Sequence, residues 1–282
     1  MTDTSSTAAG EGTSAARAPK AGRNLPVAIA VGLGLLALVA ASLAFRPEFF
    51  VLLATVAVGA ALWELAQAFK RRELHLPLLV GTVGILVSSF YSGPEALLVS
   101  FMLTVAGAVV WRVIDGSGTA AVRDAAAATF AAAYLPFMAG FVMLMLAAPD
   151  GRVRVLIFIL LAVANDVGGY VAGVLFGRHP LAPSVSPKKS WEGLAGSFVL
   201  ATAVGVVGAV MGLGASPLVG VALGILAPLT ATVGDLAESM IKRDLELKDM
   251  GSLLPGHGGI LDRLDSMLLT APFVYVLLAL AV

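Results

Sequence analysis

The run Val155–Phe176 reads VLIFILLAVANDVGGYVAGVLF, 22 residues with one charged side chain, Asp166. A helix needs about 20 mainly apolar residues to cross the ~30 Å hydrocarbon core of a bilayer, so this run has spanning length. Eight similar runs flank it: Leu25–Phe45, Phe49–Phe69, Leu76–Tyr91, Glu95–Val113 and Ala125–Ala148 before it, then Gly193–Leu213, Pro217–Ala237 and Leu264–Val282. The third is the shortest, at 16 residues. Breaks fall at turn-forming residues such as Arg46-Pro47, Ser92-Gly93-Pro94 and Asp115-Gly116-Ser117-Gly118. Of 282 residues, 59% are hydrophobic and 13% charged, and the mean hydropathy is +0.94. That is more apolar surface than a soluble fold can bury. The expected architecture is all-α, a polytopic membrane protein of about nine transmembrane helices.

Orientation follows from the basic residues, which accumulate on the cytoplasmic side. With a cytoplasmic N-terminus, 15 of the 18 Lys and Arg lie inside and only Arg46, Arg152 and Arg154 outside. This arrangement predicts a cell (inner) membrane protein whose polar motifs all face the cytoplasm. Residues 1–24 are rich in Ser, Thr, Ala and Gly without apolar periodicity, which reads as a disordered cytoplasmic tail. The first apolar run is too long for a secretory signal. Residues 25–124 read as a transmembrane scaffold and 125–282 as the catalytic region, because the polar clusters concentrate there. The chain has no cysteine, so disulfides, thiolate metal sites and a cysteine nucleophile are excluded.

The densest polar block is Ser239–Asp265, SMIKRDLELKDMGSLLPGHGGILDRLD, with nine charged residues and a histidine in 27 positions. Charges beside spanning helices are costly unless solvated, paired or holding a ligand. Asp262 and Asp265, at i and i+3, can face one hard cation such as Mg²⁺. Lys242, Arg243, Lys248 and Arg263 suit phosphate oxygens, and Gly256, Gly258 and Gly259 permit close backbone approach. His257 is read as a phosphate or nucleotide contact. Just upstream, Asp235, Glu238 and Ser239 project from one helical face.

Two further clusters precede this block. Asn165-Asp166 lies in mid-span, where an ionisable group marks a site unless a neighbouring hydroxyl satisfies it. Ser186-Pro187-Lys188-Lys189-Ser190-Trp191-Glu192-Gly193 opens the seventh run. Its two lysines beside a helix N-terminus make an anion pocket; the alternative is a topogenic pair, with Ser190 as helix cap and Glu192 complementing the dipole.

The block Ser239–Asp265, with Lys248-Asp249 and Pro255-Gly256-His257-Gly258-Gly259 inside it, resembles the C-terminal motif of phosphatidate cytidylyltransferases, the CDP-diacylglycerol synthases. The 186–193 loop resembles that family's second hallmark, with Ser190 where Thr is common. The resemblance is strong over 155–282 and rests on hydropathy alone before that. It implies CTP and phosphatidic acid as substrates, CDP-diacylglycerol and pyrophosphate as products, and Mg²⁺ as cofactor, as one ion or two, the second compatible with a monovalent cation.

On this resemblance Asp235, Asp262 and Asp265 hold metal and join Lys188, Lys189 and Arg263 as catalytic residues. Ser186, Lys242, Arg243, Lys248, Asp249, His257, Gly258, Gly259 and Asp166 contact substrate. Membrane lipids are further partners, nucleic acid is not expected, and a homodimer is compatible with the resemblance. Rival readings are a CTP-using enzyme with another lipid acceptor, a CDP-alcohol phosphotransferase, whose motif is incomplete because position 266 is Ser, and a transporter using Asp166 as part of an ion path.

Overall fold

A computed structural model describes residues 25–69, 75–115, 118–254 and 258–282. The expected N-terminal tail and His257 lie outside the described residues. The helices are α1 (Leu25–Phe45), α2 (Pro47–Ala68), α3 (His75–Asp115), α4 (Thr119–Ala132), α5 (Met138–Ala147), α6 (Gly151–Phe176), α7 (Trp191–Val207), α8 (Pro217–Asp244) and α9 (Leu261–Ala281). Among the described residues, seven helical segments are long and apolar enough to cross a membrane, and α1 contributes a shorter apolar helix, Ala30–Phe45. This is a multi-pass membrane protein built from α-helices.

Local chemistry explains where these helices bend. The third and fourth predicted runs form one element, α3, whose backbone leaves helical geometry at Gly93 (φ 84°, ψ −167°) ahead of Pro94. Only glycine adopts that conformation cheaply, and proline disfavours helix before it. The two arms fold back on each other: Ser88 Oγ lies 2.8 Å from Ser100 Oγ. The fifth run is continuous from α4 to α5 through a π turn, Ala133–Phe137. Pro136 sits in that turn, where its missing N–H breaks the α-helical ladder. The division drawn between residues 124 and 125 falls within α4.

The tightest helix packing runs from α6 through α7 and α8 to α9, and small residues make it possible. A Cβ at Gly168 would stand 2.6 Å from the Gly196 carbonyl oxygen, and one at Gly196 would stand 2.5 Å from that of Gly168. Without a hydrophobic drive between helices in lipid, such backbone approach supplies the packing energy. Between α8 and α9, a Cβ at Gly234 would stand 2.7 Å from the Asp265 carbonyl oxygen. The helices therefore meet where each carries its carboxylates.

The ends of the bundle differ in chemistry. At one end Arg152 donates to the C-terminal carbonyls of α1, Ala44 (3.2 Å) and Phe45 (3.4 Å), and Arg154 to Leu278 of α9 (3.4 Å). These bonds satisfy carbonyls that helix ends leave unpaired. At the other end lie the N-termini of α7 and α9, the C-termini of α2, α6 and α8, and an antiparallel hairpin of β1 (Pro180–Ala182) and β2 (Ser186–Ser190). The hairpin replaces the loop expected before the seventh run.

Glu64, on α2 in the expected scaffold half, is buried at this second end. Its Oε2 accepts a hydrogen bond from the Leu261 amide at 3.0 Å, and its carboxylate fills space that a Cβ at Gly251 or Gly259 would need. One side chain thus pins the segment leading into α9 to the first half of the chain. Glu64→Ala removes that acceptor inside the bundle, and thermal unfolding in detergent should show a loss of about 1–3 kcal/mol; Glu64→Gln, which keeps an acceptor oxygen, should lose less. A bulky residue at Gly168 should prevent α6–α7 packing, read as loss of the folded monodisperse peak in size-exclusion chromatography.

Candidate active site

The site is built on four helices and the hairpin. Their polar ends surround a cavity of 560 Å³ lined by Asp166, Lys188, Lys189, Asp235, Lys242 and Asp249, with Asp262, Arg263 and Asp265 on the α9 side. Nine of the residues expected in the site therefore share one cavity although they lie up to a hundred residues apart in sequence. Ser186, Arg243 and Lys248 line an adjoining cavity of 430 Å³, which Lys188 and Lys242 border as well.

Two helix extensions create this geometry. The eighth run was expected to stop at Ala237, but α8 continues to Asp244, so Asp235, Glu238 and Lys242 project from successive turns of a rigid helix. The last run was expected to begin at Leu264, but α9 begins at Leu261, and Asp262 and Asp265 stand in its first two turns. Charged side chains kept hydropathy from tracing either extension. Both helices remain regular because their carboxylates find partners.

Asp235, Glu238 and Asp265 bring one carboxylate oxygen each within 4.8 Å of one another. Asp235 is partly exposed to the cavity, whereas Glu238 and Asp265 are buried. Glu238 Oε1 is buried with no hydrogen-bond partner among the described residues, a position in which an acceptor is normally satisfied. Ser239 Oγ donates to Asp235 at 3.4 Å. The spacing of Asp235 and Glu238 on one helical face was legible in the sequence; the approach of Asp265 required the contact at Gly234.

Asp262 is placed differently from Asp265. Its carboxylate accepts from the amides of Gly259 (2.9 Å) and Met250 (3.0 Å), and from Lys242 Nζ (3.0 Å). Gly258, with φ +86°, turns the chain so that a Cβ there would approach Asp262 Oδ2 at 3.3 Å and Asp249 Oδ1 at 3.4 Å. The freedom of Gly258 and Gly259 is thus used to wrap the backbone around acidic side chains. Asp262 shares the ammonium of Lys242 with Glu238, whose Oε2 that ammonium reaches at 2.5 Å.

Strand β2 carries the two lysines. Lys189 pairs with Asp235 across the cavity, while Lys188 is exposed between the two cavities. Ser190 caps α7, as the alternative reading of that loop has it, accepting from the Gly193 amide at 3.1 Å. Glu192 accepts from the amides of Arg178 (3.2 Å) and His179 (3.3 Å) and lies 2.6 Å from His179 Nδ1, which fastens the end of α6 to the start of α7. Arg243 donates to the Val185 carbonyl at 3.3 Å and so braces the hairpin against α8. Asp166 faces the cavity from α6 and accepts from Asn165 Nδ2 at 3.1 Å. Glu64 went unnoticed in the sequence because one acid near the end of an apolar run looks like a membrane-edge residue.

Similarity to known proteins extends over most of the chain. The model of the cytidylyltransferase family matches residues 26–281. A phosphatidate cytidylyltransferase of Mycobacterium leprae is 40% identical over 280 residues, covering 93% of this chain and 90% of that protein. One from Mycobacterium bovis is 37% identical over 276 residues, covering 93% and 90%. One from Haemophilus influenzae is 37% identical over 151 residues, covering 49% and 52%. The family match runs through both halves of the chain, including the part that sequence motifs left unassigned, and the protein belongs to the cytidylyltransferase family.

Proposed function

We propose that this protein transfers CMP from CTP to phosphatidate, giving CDP-diacylglycerol and pyrophosphate. The observation that carries the reading is one cavity in which the Asp235–Glu238–Asp265 cluster faces a strand bearing Lys188 and Lys189. The relatives named phosphatidate cytidylyltransferase supply the substrate class. The rival lipid acceptors and the transporter have no comparable support.

In the reaction, an oxygen of the phosphatidate monoester attacks the α-phosphorus of CTP. A P–O bond forms there, the bond to the β-phosphate oxygen breaks, and pyrophosphate leaves with the electron pair. A phosphomonoester is already largely ionised near neutral pH, so no strong base is required. What remains is to hold two polyanions together and neutralise the charge that builds up.

The donor set fits a hard divalent cation. Asp235, Glu238, Asp262 and Asp265 set four carboxylates against the two ammonium groups bonded to them, Lys189 and Lys242. Glu238 adds a buried oxygen with no hydrogen-bond partner among the described residues. Asp235, Glu238 and Asp265 would hold Mg²⁺ by oxygen ligands, and the bound ion would supply charge neutralisation at the phosphates. This set differs from the expected one in adding Glu238 and giving Asp262 a bridging place through Lys242.

The remaining groups divide by position. Lys188 and Lys189 reach phosphate oxygens from β2, and Lys189 exchanges its Asp235 partner for substrate. Arg243, Lys248 and Ser186 extend the cationic wall along the adjoining cavity, which suits the pyrophosphate and nucleotide portions. Arg263 stands on the α9 side, toward the lipid. The reading counts the two arms of α3 separately and includes α1, for nine crossings among the described residues. With the basic residues on the cytoplasmic side, this reading has Arg152 and Arg154 outside and the cavity open to the cytoplasm, where CTP enters and pyrophosphate leaves.

Purified protein in detergent should release pyrophosphate from CTP only when phosphatidate and Mg²⁺ are both supplied; release without lipid, or none across a range of metals, would overturn the assignment. Asp265→Asn should lower kcat by about 10²–10³-fold, the usual effect of removing one electrostatic element of a polar active site. Lys189→Ala should weaken CTP by roughly 10–100-fold, the scale of one hydrogen bond to a charged group, read as a raised KM with the protein still folded. Chelation by EDTA should abolish turnover, with Mg²⁺ restoring it.

A further inference from the structure

We infer that an apolar slot between α1 and the rest of the bundle binds one acyl chain of the lipid substrate, with Arg263 at the junction of lipid phosphate and lipid tail. The inference rests on the reading of phosphatidate as acceptor and adds where its tail lies.

The slot is a cavity of 370 Å³ with walls that are almost entirely apolar, within the ~300–1,000 Å³ typical of small-molecule sites. Its walls come from α1 (Leu36, Leu38), α2 (Phe50, Ala57), α5 (Met143) and α9 (Met267). Along α2 it runs from Phe50 to Val58, about 12 Å at 1.5 Å per residue. Arg263 lines both this slot and the charged cavity. Among the described residues no other lines both, so Arg263 marks the place where apolar and charged space meet.

The position of α1 keeps the slot open. Its C-terminal end is held to the bundle by Arg152 at Ala44 and Phe45, and Leu43 is buried. Leu33, Leu36 and Leu38, nearer its N-terminal end, are 62%, 55% and 50% exposed. The helix is therefore held at the end remote from the catalytic cavity, and Leu36 and Leu38 line the slot from its middle. A slot open to the bilayer on one side and closing on an arginine beside metal-binding carboxylates suits a molecule with an anionic head and a hydrocarbon tail. Hydrocarbon there would fill the gap left by dispersion contacts missing between α1 and α9.

Chain length separates this inference from the general reading. Wild-type protein, Ala57→Phe on the slot floor and Leu38→Trp on its exposed wall would be assayed with saturating CTP and either dioleoyl or dihexanoyl phosphatidate. Filling the slot should raise KM for the dioleoyl lipid about tenfold, the equivalent of roughly two buried methylenes, and leave KM for the dihexanoyl lipid and for CTP unchanged. Equal loss for both lipids, or no loss in either variant, would overturn the slot. Leu38 is half exposed, so Leu38→Trp tests the idea even if Ala57→Phe folds poorly. Wild-type protein that turned over neither lipid would instead overturn phosphatidate as acceptor.

Discussion

Lys242 is the ion on which the catalytic end of the bundle depends. Its ammonium spans Glu238 on its own helix and Asp262 on α9, at 2.5 and 3.0 Å. Asp262 in turn accepts from the amides of Met250 and Gly259, so one cation joins two helices and the segment between them. Burying several carboxylates at the edge of a membrane is costly unless each finds a partner. Lys242 and Lys189 supply that pairing without consuming every oxygen. The oxygens left over, on Glu238 above all, are those the proposed cation would use.

This pairing also explains why the glycines are where they are. Gly234 admits the α9 backbone, and Gly258 and Gly259 let the chain close over Asp262 and against Glu64. Each is a place where a side chain would hold apart groups that the site needs together. Glu64 extends the network across the whole protein: a residue of α2 fixes the segment that leads into α9. The first half of the chain is therefore part of the site's support and, through α1 and α2, a wall of the apolar slot. Three cavities follow in series, cationic beside the hairpin, mixed at the carboxylates and apolar beneath α1, in the order of the parts of a nucleotide and a lipid meeting at their phosphates.

Hydropathy determined the apolar runs, since burial in lipid demands about 20 apolar residues whatever the tertiary contacts, and every predicted run corresponds to helix in the structure. It stopped short at the C-terminus of α8 and the start of α9, because their terminal turns carry charge. It also divided α3 correctly at Gly93-Pro94 without showing that the arms pair. The hairpin was missed because SPKKS has no alternation of apolar and polar residues, the usual mark of a strand.

The sequence by itself determined the membrane class, the charged motifs and the resemblance that names a reaction, since these depend on composition and local order along the chain. Only the tertiary structure decided which carboxylates converge. Asp262 and Asp265 are three residues apart, yet Asp262 binds amides and Lys242 while Asp265 joins Asp235 and Glu238. That division depends on how closely α8 approaches α9 and on an acid nearly two hundred residues away. Spacing along one helix can align side chains on a face, but it carries no information about what the opposing helix brings to meet them.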